Sequence, residues 1–154
     1  MSDYKEEYMR KAIHYARLCA KRGEVPIGCV IVKNGEIVAW GNNSRETKKN
    51  ALGHAEISAI DKACRKLHGW RLWECDMYVT LEPCPMCAGA IINARIKNLY
   101  YGAADEKAGC FSSVMNMNSF PFNHHPTVEG GVLEEECQAL LKDFFKNLRE
   151  KKKS

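Results

Sequence analysis

The chain has 154 residues, of which 45% are hydrophobic and 27% are charged, with a formal net charge of +4. This length supports one domain with a sizeable core but not two, so we expect a single domain over residues 1–154. No apolar run approaches the roughly 18 residues that a membrane span needs. The charged start MSDYKEEYMRK lacks the apolar segment of a signal peptide. We therefore expect a cytoplasmic protein with no membrane partner.

Eight cysteines are spread along the chain. Most lie in apolar patterns such as ARLCAK and IGCVIV, where a reduced cysteine behaves as a small buried hydrophobic residue. The positive charge is concentrated in the C-terminal stretch LLKDFFKNLREKKKS, which is compatible with a polyanionic partner. On its own, however, a lysine-rich terminus is more often a solvated, frayed tail.

The hydrophobic pattern predicts alternating helices and strands. Apolar residues at helical spacing predict a first helix within residues 4–22. The stretch IGCVIVKNGEIVAWGNN predicts two strands joined by Asn34-Gly35, a pair typical of a type I′ hairpin. Residues 44–52 are expected to form a polar loop, and a second helix is expected over residues 54–67.

The second half of the chain continues this alternation. DMYVTLEP predicts a strand that stops at Pro83, CPMCAGAIINARI predicts a helix that begins near Pro85, and KNLYYGA predicts a further strand. Residues 103–126 are expected to be irregular, TVEGG to be a short strand, and a final amphipathic helix to begin at Val132. This order indicates an α/β fold: a three-layer α-β-α sandwich with a central mixed five-stranded sheet flanked by helices.

Cys84 and Cys87 lie at the start of a predicted helix, in TLEPCPMCAGA. Both thiols then share one face of its first turn, and a helix N-terminus favours thiolates, which ligate zinc. The C-x-x-C spacing alone is also compatible with half of a four-ligand structural zinc site, with a redox pair, or with buried packing.

His54, at another predicted helix start, supplies a third candidate ligand, because α/β proteins place their sites at the ends of strands. Three protein ligands leave one position of a tetrahedral zinc for water, as catalytic sites do, and Glu56 then fits as a proton carrier. Since positions two apart on a helix point to nearly opposite sides, both side chains face one metal only if His54 lies at or before the first turn. Taken alone, His54 would be a satisfied surface or core histidine, and Glu56 a first-turn acid that complements the helix dipole.

The combination of HAE at 54–56 with PCPMC at 83–87 is the known signature H-x-E…P-C-x-x-C of zinc nucleobase deaminases, so the assignment is pattern recognition. The chain resembles the cytidine-deaminase-like superfamily and, more narrowly, the bacterial tRNA-specific adenosine deaminases, which convert wobble adenosine to inosine. Nearly the whole chain takes part in this resemblance. The blocks that favour the narrower family are YGAADEKAGC, FNH, GVLEEEC and DFFKNLR.

This resemblance implies a zinc-dependent deaminase domain with one Zn²⁺ per chain, held by His54, Cys84 and Cys87. It implies deamination of adenosine to inosine at the wobble position of a tRNA anticodon loop, in which hydroxide on the zinc attacks C6 and Glu56 shuttles protons. It also implies a homodimer. The partner would be an anticodon stem-loop, whose splayed bases reach a recessed site and whose phosphates meet the basic C-terminal helix.

The resemblance also assigns residues to the substrate. Asn43 matches the residue that holds the target base, and Ile27 matches an apolar wall of the base pocket. Asp105, Asn123 and Phe145 match positions that contact the flipped nucleotides of the anticodon loop. Without the resemblance, simpler roles are preferred: Asn43 as a turn residue, Asp105 and Asn123 as loop-stabilising residues, and Phe145 as part of the core.

The sequence departs from the family pattern at Phe111, where a small residue is usual, and at Leu52-Gly53, where Thr-Ala or Ile-Ala is common. Neither departure touches the expected zinc ligands. Two other functions stay open: a deaminase of a free base or nucleotide such as guanine or cytidine, and a non-catalytic RNA-binding module with a structural zinc. A fourth ligand such as Cys110 or His124 would support the second of these. DNA also stays open as a substrate.

Overall fold

In the computed structural model, which describes residues 4–153, five strands form one mixed sheet. The strands are β1 (Gly28–Lys33), β2 (Glu36–Asn42), β3 (Cys75–Leu81), β4 (Asn98–Ala103) and β5 (Thr127–Glu129). Their order across the sheet is β2-β1-β3-β4-β5. Strand β1 is antiparallel to β2 and β3, whereas β3, β4 and β5 run parallel. The predicted central sheet is therefore confirmed.

In the described part of the chain, five α-helices accompany the sheet: α1 (Glu6–Ala20), α2 (Arg45–Lys48), α3 (Ala55–Leu67), α4 (Pro85–Asn93) and α5 (Glu134–Lys153). Side chains alternate between the two faces of a strand, so each buried strand feeds two cores. In β1, Cys29 and Ile31 share a core with α3 and α4, whereas Val30 and Val32 share a core with α1 and α5. The three-layer arrangement is therefore confirmed.

The predicted hairpin and the long irregular segment are both present. Asn34 has φ +51° and Gly35 has φ +76°, as a type I′ turn between β1 and β2 requires. Between β4 and β5 the chain is mostly irregular, with one short 3-10 helix at Met117–Ser119. Phe111, which departs from the family pattern, is only 4% exposed and joins the core beneath α3 and α4. The Phe111 side chain is thus buried in the core.

The polar loop expected over residues 44–52 contains the short helix α2, so this part of the prediction is wrong. The cause is the buried carboxylate of Glu24, which accepts hydrogen bonds from the backbone N–H groups of Glu46 (3.2 Å) and Thr47 (2.6 Å). These are the donors that a helix N-terminus leaves unsatisfied. A side chain distant in sequence therefore stabilises a single helical turn.

The basic C-terminal stretch is helical, because α5 continues to Lys153. Three glutamates in its first turn and three lysines in its last turn complement the helix dipole. Ser154 lies outside the described residues. Within residues 4–153, no helix is both long enough and apolar enough to cross a membrane. None of the described cysteines is in a disulfide, and all but Cys64 and Cys84 are buried.

The strand directions bring four chain segments to one edge of the sheet, the edge formed by the ends of the strands. Gly28, at the start of β1, pairs with Asn42, at the end of β2. The Gly28 N–H also donates to Thr80 Oγ1 (3.2 Å), close to the end of β3. Leu81 of β3 pairs with Ala103 of β4. The segments after β2, β3 and β4 therefore converge with the segment before β1, and the candidate site lies there.

Candidate metal-binding and catalytic site

Three potential metal ligands meet at this edge of the sheet. His54 directly precedes α3 and Cys84 directly precedes α4, each in extended backbone, and neither side chain caps its own helix. Cys87 lies in the first turn of α4. His54 Nδ1 is 3.6 Å from Cys84 Sγ and 3.5 Å from Cys87 Sγ. The three ligand atoms all lie within 4.8 Å of one another, so this group can hold a metal ion.

The spacing fits a tetrahedral zinc ion. With Zn–N distances of about 2.0–2.1 Å and Zn–S distances of about 2.3 Å, a nitrogen and a sulfur ligand lie about 3.6 Å apart. Both measured N···S separations agree with this value. Within residues 4–153, no fourth protein ligand joins the group. The Cys110 thiol instead donates to Ala108 O (3.4 Å), and a ring nitrogen of His124 contacts Ile96 O (2.6 Å). Three protein ligands are the number that catalytic zinc sites use, whereas structural sites use four.

Protons are shared unequally among these three groups. The hydrogen bond from Cys87 lowers the pKa of the Cys84 thiol to about 4, against the opposing effect of burial, and His54 lowers it further. The hydrogen bond with Cys84 raises the pKa of His54. The hydrogen bond between Cys87 and Cys84, together with burial, raises the pKa of Cys87. Cys84 is therefore disposed to be a thiolate, the form in which cysteine binds a metal.

Glu56, the second residue of α3, lies in the same pocket as His54 and Cys84 and is only 4% exposed. His54 precedes the helix, and this placement lets two side chains separated by two positions reach one pocket. Burial raises the pKa of the Glu56 carboxyl to about 7. A carboxyl group with such a pKa can accept and release a proton near neutral pH.

The pocket beside the ligand group has a volume of about 200 Å³. Ile27, Asn43 and Asp105 line it, together with His54 and Glu56. The segments that converge at this edge of the sheet therefore supply most of the predicted site residues. The pocket is small and recessed, so it suits one planar group better than an extended chain.

The other two predicted substrate contacts lie elsewhere. Phe145 of α5 lines an adjoining groove of about 630 Å³, which shares Asp105 with the pocket. This phenylalanine is 42% exposed, so the alternative that it belongs to the core is wrong. Asn123 is exposed in the segment before β5 and lines neither the pocket nor the groove.

Hydrogen bonds to the side chain and to the backbone hold Asn43 in place. Its Oδ1 accepts from the Arg45 N–H (3.2 Å), its Nδ2 donates to Val25 O (3.3 Å), and its backbone N–H donates to Ile27 O (3.1 Å). The turn-stabilising role is therefore present. Because the side chain also lines the pocket, the same bonds fix its orientation toward any group bound there.

Sequence reasoning missed two charged residues that line the pocket, Glu82 and Arg45. Glu82 is 2% exposed, and its carboxylate accepts hydrogen bonds from the backbone of residues 105–113. A carboxylate directly after an otherwise buried strand, next to Pro83-Cys84, was the available signal. Arg45 opens α2 and lines both the pocket and the groove.

Comparisons with known proteins agree with this geometry. Residues 3–149 match the family model of MafB19-like deaminases. A tRNA-specific adenosine deaminase of Bacillus subtilis (strain 168) is 50% identical over 150 residues, covering 97% of this chain and 93% of that protein. A structure from studies of A-to-I editing by tRNA:A34 deaminases at the wobble position of transfer RNA has a TM-score of 0.86 and 43% identity, over 89% of this chain and 100% of that chain. A guanine deaminase structure from Bacillus subtilis has a TM-score of 0.63 and 31% identity, over 80% and 88%.

The mixed sheet, the His-Cys-Cys group and the buried Glu56 define an enzyme of the deaminase class. The chain belongs to the MafB19-like deaminase family and, more narrowly, to the tRNA-specific adenosine deaminases. The family recognised from the HAE and PCPMC motifs is thereby confirmed, as is the assignment as an enzyme. The alternative of a non-catalytic RNA-binding module is not supported.

Proposed function

We propose that residues 1–154 form one zinc-dependent domain that deaminates adenosine to inosine at the wobble position of a tRNA anticodon loop. The observation that carries this proposal is the buried Glu56 carboxylate in one pocket with the ligand group His54, Cys84 and Cys87. The identity of 50% to a tRNA-specific adenosine deaminase supports the choice of substrate. In this proposal each chain holds one Zn²⁺.

The three ligands hold the zinc, which when bound supplies Lewis-acid activation of the water that replaces the amino group. Glu56 carries the protons. It accepts one proton from the attacking water and delivers it to N1 of the adenine. It then takes the proton of the hydroxyl group now on C6 and passes it to the amino group, which leaves as ammonia while the C6 oxygen becomes the carbonyl. Since Glu56 is not one of the three ligands, its carboxylate stays available for this transfer.

The neighbouring side chains orient the base. Asn43 has its amide fixed by Arg45 and Val25, and in this proposal it binds the edge of the adenine. Ile27 supplies an apolar wall of the same pocket. Because the pocket is recessed, an adenine stacked in a duplex cannot reach it, whereas a splayed base of a single-stranded loop can.

The groove beside the pocket favours RNA over a free base. Asp105 and Phe145 line this groove, where the nucleotides that flank the target base would lie, and an exposed aromatic ring offers a stacking surface. We include Asn123 as a more distant contact with the loop. The exposed basic side chains of α5, including Lys142, Lys146 and Arg149, would meet phosphates. A free-base deaminase needs neither feature.

Two further properties belong to this proposal. A homodimer is expected from the resemblance, and the large apolar side chains exposed in the described chain, including Trp70 and Trp73, are candidates for burial in it. Sedimentation equilibrium of the full chain tests this: the mass of two chains supports the dimer and the mass of one opposes it. A tRNA substrate also favours a cytoplasmic location.

A substrate panel tests the proposed function. The zinc-loaded protein is incubated in parallel with an anticodon stem-loop carrying a wobble adenosine, with free guanine, and with cytidine. We expect inosine in the stem-loop and no ammonia from guanine or cytidine. A stem-loop with its only adenosine base-paired in the stem is the matched control and should remain unedited. Ammonia release from guanine without inosine in RNA would replace this proposal with the free-base alternative.

A further inference from the structure

The carboxylate of Glu82 lies beneath residues 105–113, here called the wall segment, and binds it at five points. Its oxygens accept hydrogen bonds from the backbone N–H groups of four residues and from one hydroxyl group. The donors are Asp105 N (3.1 Å), Phe111 N (3.1 Å), Ser112 N (2.9 Å), Ser113 N (3.0 Å) and Ser113 Oγ (2.5 Å). The segment is therefore wrapped around one buried charge.

The wall segment passes close to this carboxylate. A Cβ atom at Gly109 would collide with the Glu82 carboxylate, so the segment passes directly over it. The Cys110 N–H donates to Pro83 O (2.9 Å), which ties the same segment to the residue after Glu82.

The wall segment faces the substrate pocket. Asp105 and Ala108 line both the pocket and the adjoining groove. The Asp105 carboxylate accepts hydrogen bonds from the N–H groups of Lys107 (3.1 Å) and Ala108 (3.2 Å), which shapes the turn between them. The position of this turn therefore depends on where Glu82 holds its two ends.

We propose that Glu82 is a positioning residue, whose buried carboxylate fixes the wall segment so that the RNA loop can bind beside the pocket. This inference rests on the proposed function, because it assigns the wall segment to the RNA. All five hydrogen bonds of the carboxylate go to that segment and none goes to His54, Cys84 or Cys87. Glu82 thus governs substrate binding and leaves metal binding to other residues.

The substitution Glu82→Gln tests this inference with little change of shape. The NH₂ group of a carboxamide cannot accept hydrogen bonds, so some of the backbone N–H groups of the wall segment lose their acceptor. We expect KM for the stem-loop to rise about tenfold, with kcat within about threefold of wild type. Zinc content should not change. Amide hydrogen exchange should accelerate at Phe111, Ser112 and Ser113, because their N–H groups lose a partner.

Three further variants separate positioning from a loss of folding or of charge. Glu36→Gln makes the same charge change at the first residue of β2, at the end of the sheet away from the site, and should leave KM unchanged. Ser113→Ala removes one donor and should raise KM about threefold. Glu82→Asp keeps the charge on a shorter side chain and should restore part of the lost affinity. The last two variants test the inference even if Glu82→Gln fails to fold.

The outcomes distinguish this inference from the proposed function. If the wild-type protein makes no inosine in the stem-loop, the proposed function fails, whereas the exchange measurement still reports whether Glu82 orders the wall segment. If the wild type is active, and the folded Glu82 variants show wild-type KM and wild-type amide exchange, the positioning role is wrong. A lower folded fraction with unchanged KM would likewise assign Glu82 to general stability and overturn the inference.

Discussion

His54 and Cys84 occupy the same position in two different helices. Each is the N-cap residue, in extended backbone directly before its helix. The His54 Nδ1 and Cys84 Sγ atoms lie 3.6 Å apart. The positive ends of two helix dipoles meet at this point, where they favour the thiolate form of Cys84. The fold thereby builds a ligand group from two helix starts that are 30 residues apart in sequence.

Removal of one thiolate should abolish metal binding. Cys87→Ser replaces a buried sulfur ligand with a hydroxyl group that binds zinc poorly, so we expect zinc to fall from about one per chain to nearly none. Cys110→Ser is the matched control, because the Cys110 thiol donates to Ala108 O and lies outside the ligand group. Metal analysis of the purified proteins checks both. Full zinc content in Cys87→Ser would contradict the ligand assignment.

A methyl group at Gly41 should displace the start of α3. A Cβ atom there would collide with the Ala55 carbonyl and lie 2.9 Å from the Ala59 nitrogen. Because Ala55 lies between His54 and Glu56, we expect Gly41→Ala to weaken zinc binding and to lower the free energy of unfolding by about 1–3 kcal/mol.

Gly69→Ala is the control for this substitution, since no heavy atom lies within 4 Å of a Cβ built there. Its free energy of unfolding should stay within about 0.5 kcal/mol of wild type. Urea denaturation of the two variants gives the comparison. Equal stability of Gly41→Ala and Gly69→Ala would show that α3 does not depend on this close approach.

The buried carboxylate of Glu24 should make stability depend on pH. Burial alone would raise its pKa, but hydrogen bonds from Thr47 and Glu46 hold it below 4.5. Because the pKa is depressed in the folded state, this stabilisation is complete above 4.5 and is lost as the pH falls through the lower folded value. At about pH 7, we expect Glu24→Gln to lower the free energy of unfolding by about 1–3 kcal/mol.

Urea unfolding of wild type and Glu24→Gln at several pH values measures this effect. The difference between them should shrink as the pH falls below 4.5, because the wild-type carboxylate becomes protonated there. A difference that stays constant across this range would mean that the charge on Glu24 does not stabilise α2.

Phe145 should contribute to RNA affinity through stacking. Phe145→Ala removes an exposed ring from the groove beside the pocket, and we expect binding of the anticodon stem-loop to weaken by about 1–3 kcal/mol. Leu148→Ala is the matched control, since Leu148 is 40% exposed on the same helix but does not line that groove. Fluorescence anisotropy with a labelled stem-loop gives both affinities. Equal losses in the two variants would argue against a stacking role.

The elements of the fold were predictable where the pattern is local. The continuous apolar run of β1 and Asn34-Gly35 at the turn predicted the hairpin, because a short apolar run and turn chemistry act over a few residues. Helix α2 was not predictable in this way. Glu24 accepts hydrogen bonds from the N–H groups of Glu46 and Thr47, which lie 22 and 23 residues further along the chain. No local pattern in the sequence indicates such a contact.

The candidate site likewise contains residues that a local motif predicts and residues that it does not. The spacings H-x-E and C-x-x-C identified His54, Glu56, Cys84 and Cys87, because chemistry fixes the separation of residues that share one helix start. Glu82 was not recognised as a site residue, since its partners lie 23 to 31 residues further along, in an irregular segment without periodicity. The five predicted substrate contacts came from family resemblance. Four of them line the pocket or its groove, whereas Asn123 does not.

The most direct test of the account compares wild type with Glu56→Gln on one stem-loop. Inosine is mapped at nucleotide resolution, and zinc is measured in the same samples. Wild type should form inosine at the wobble position alone, whereas Glu56→Gln should keep its zinc and react at least about 10³-fold more slowly, because the proton carrier is lost. A zinc-loaded Glu56→Gln protein that forms inosine at the wild-type rate would contradict the central claim.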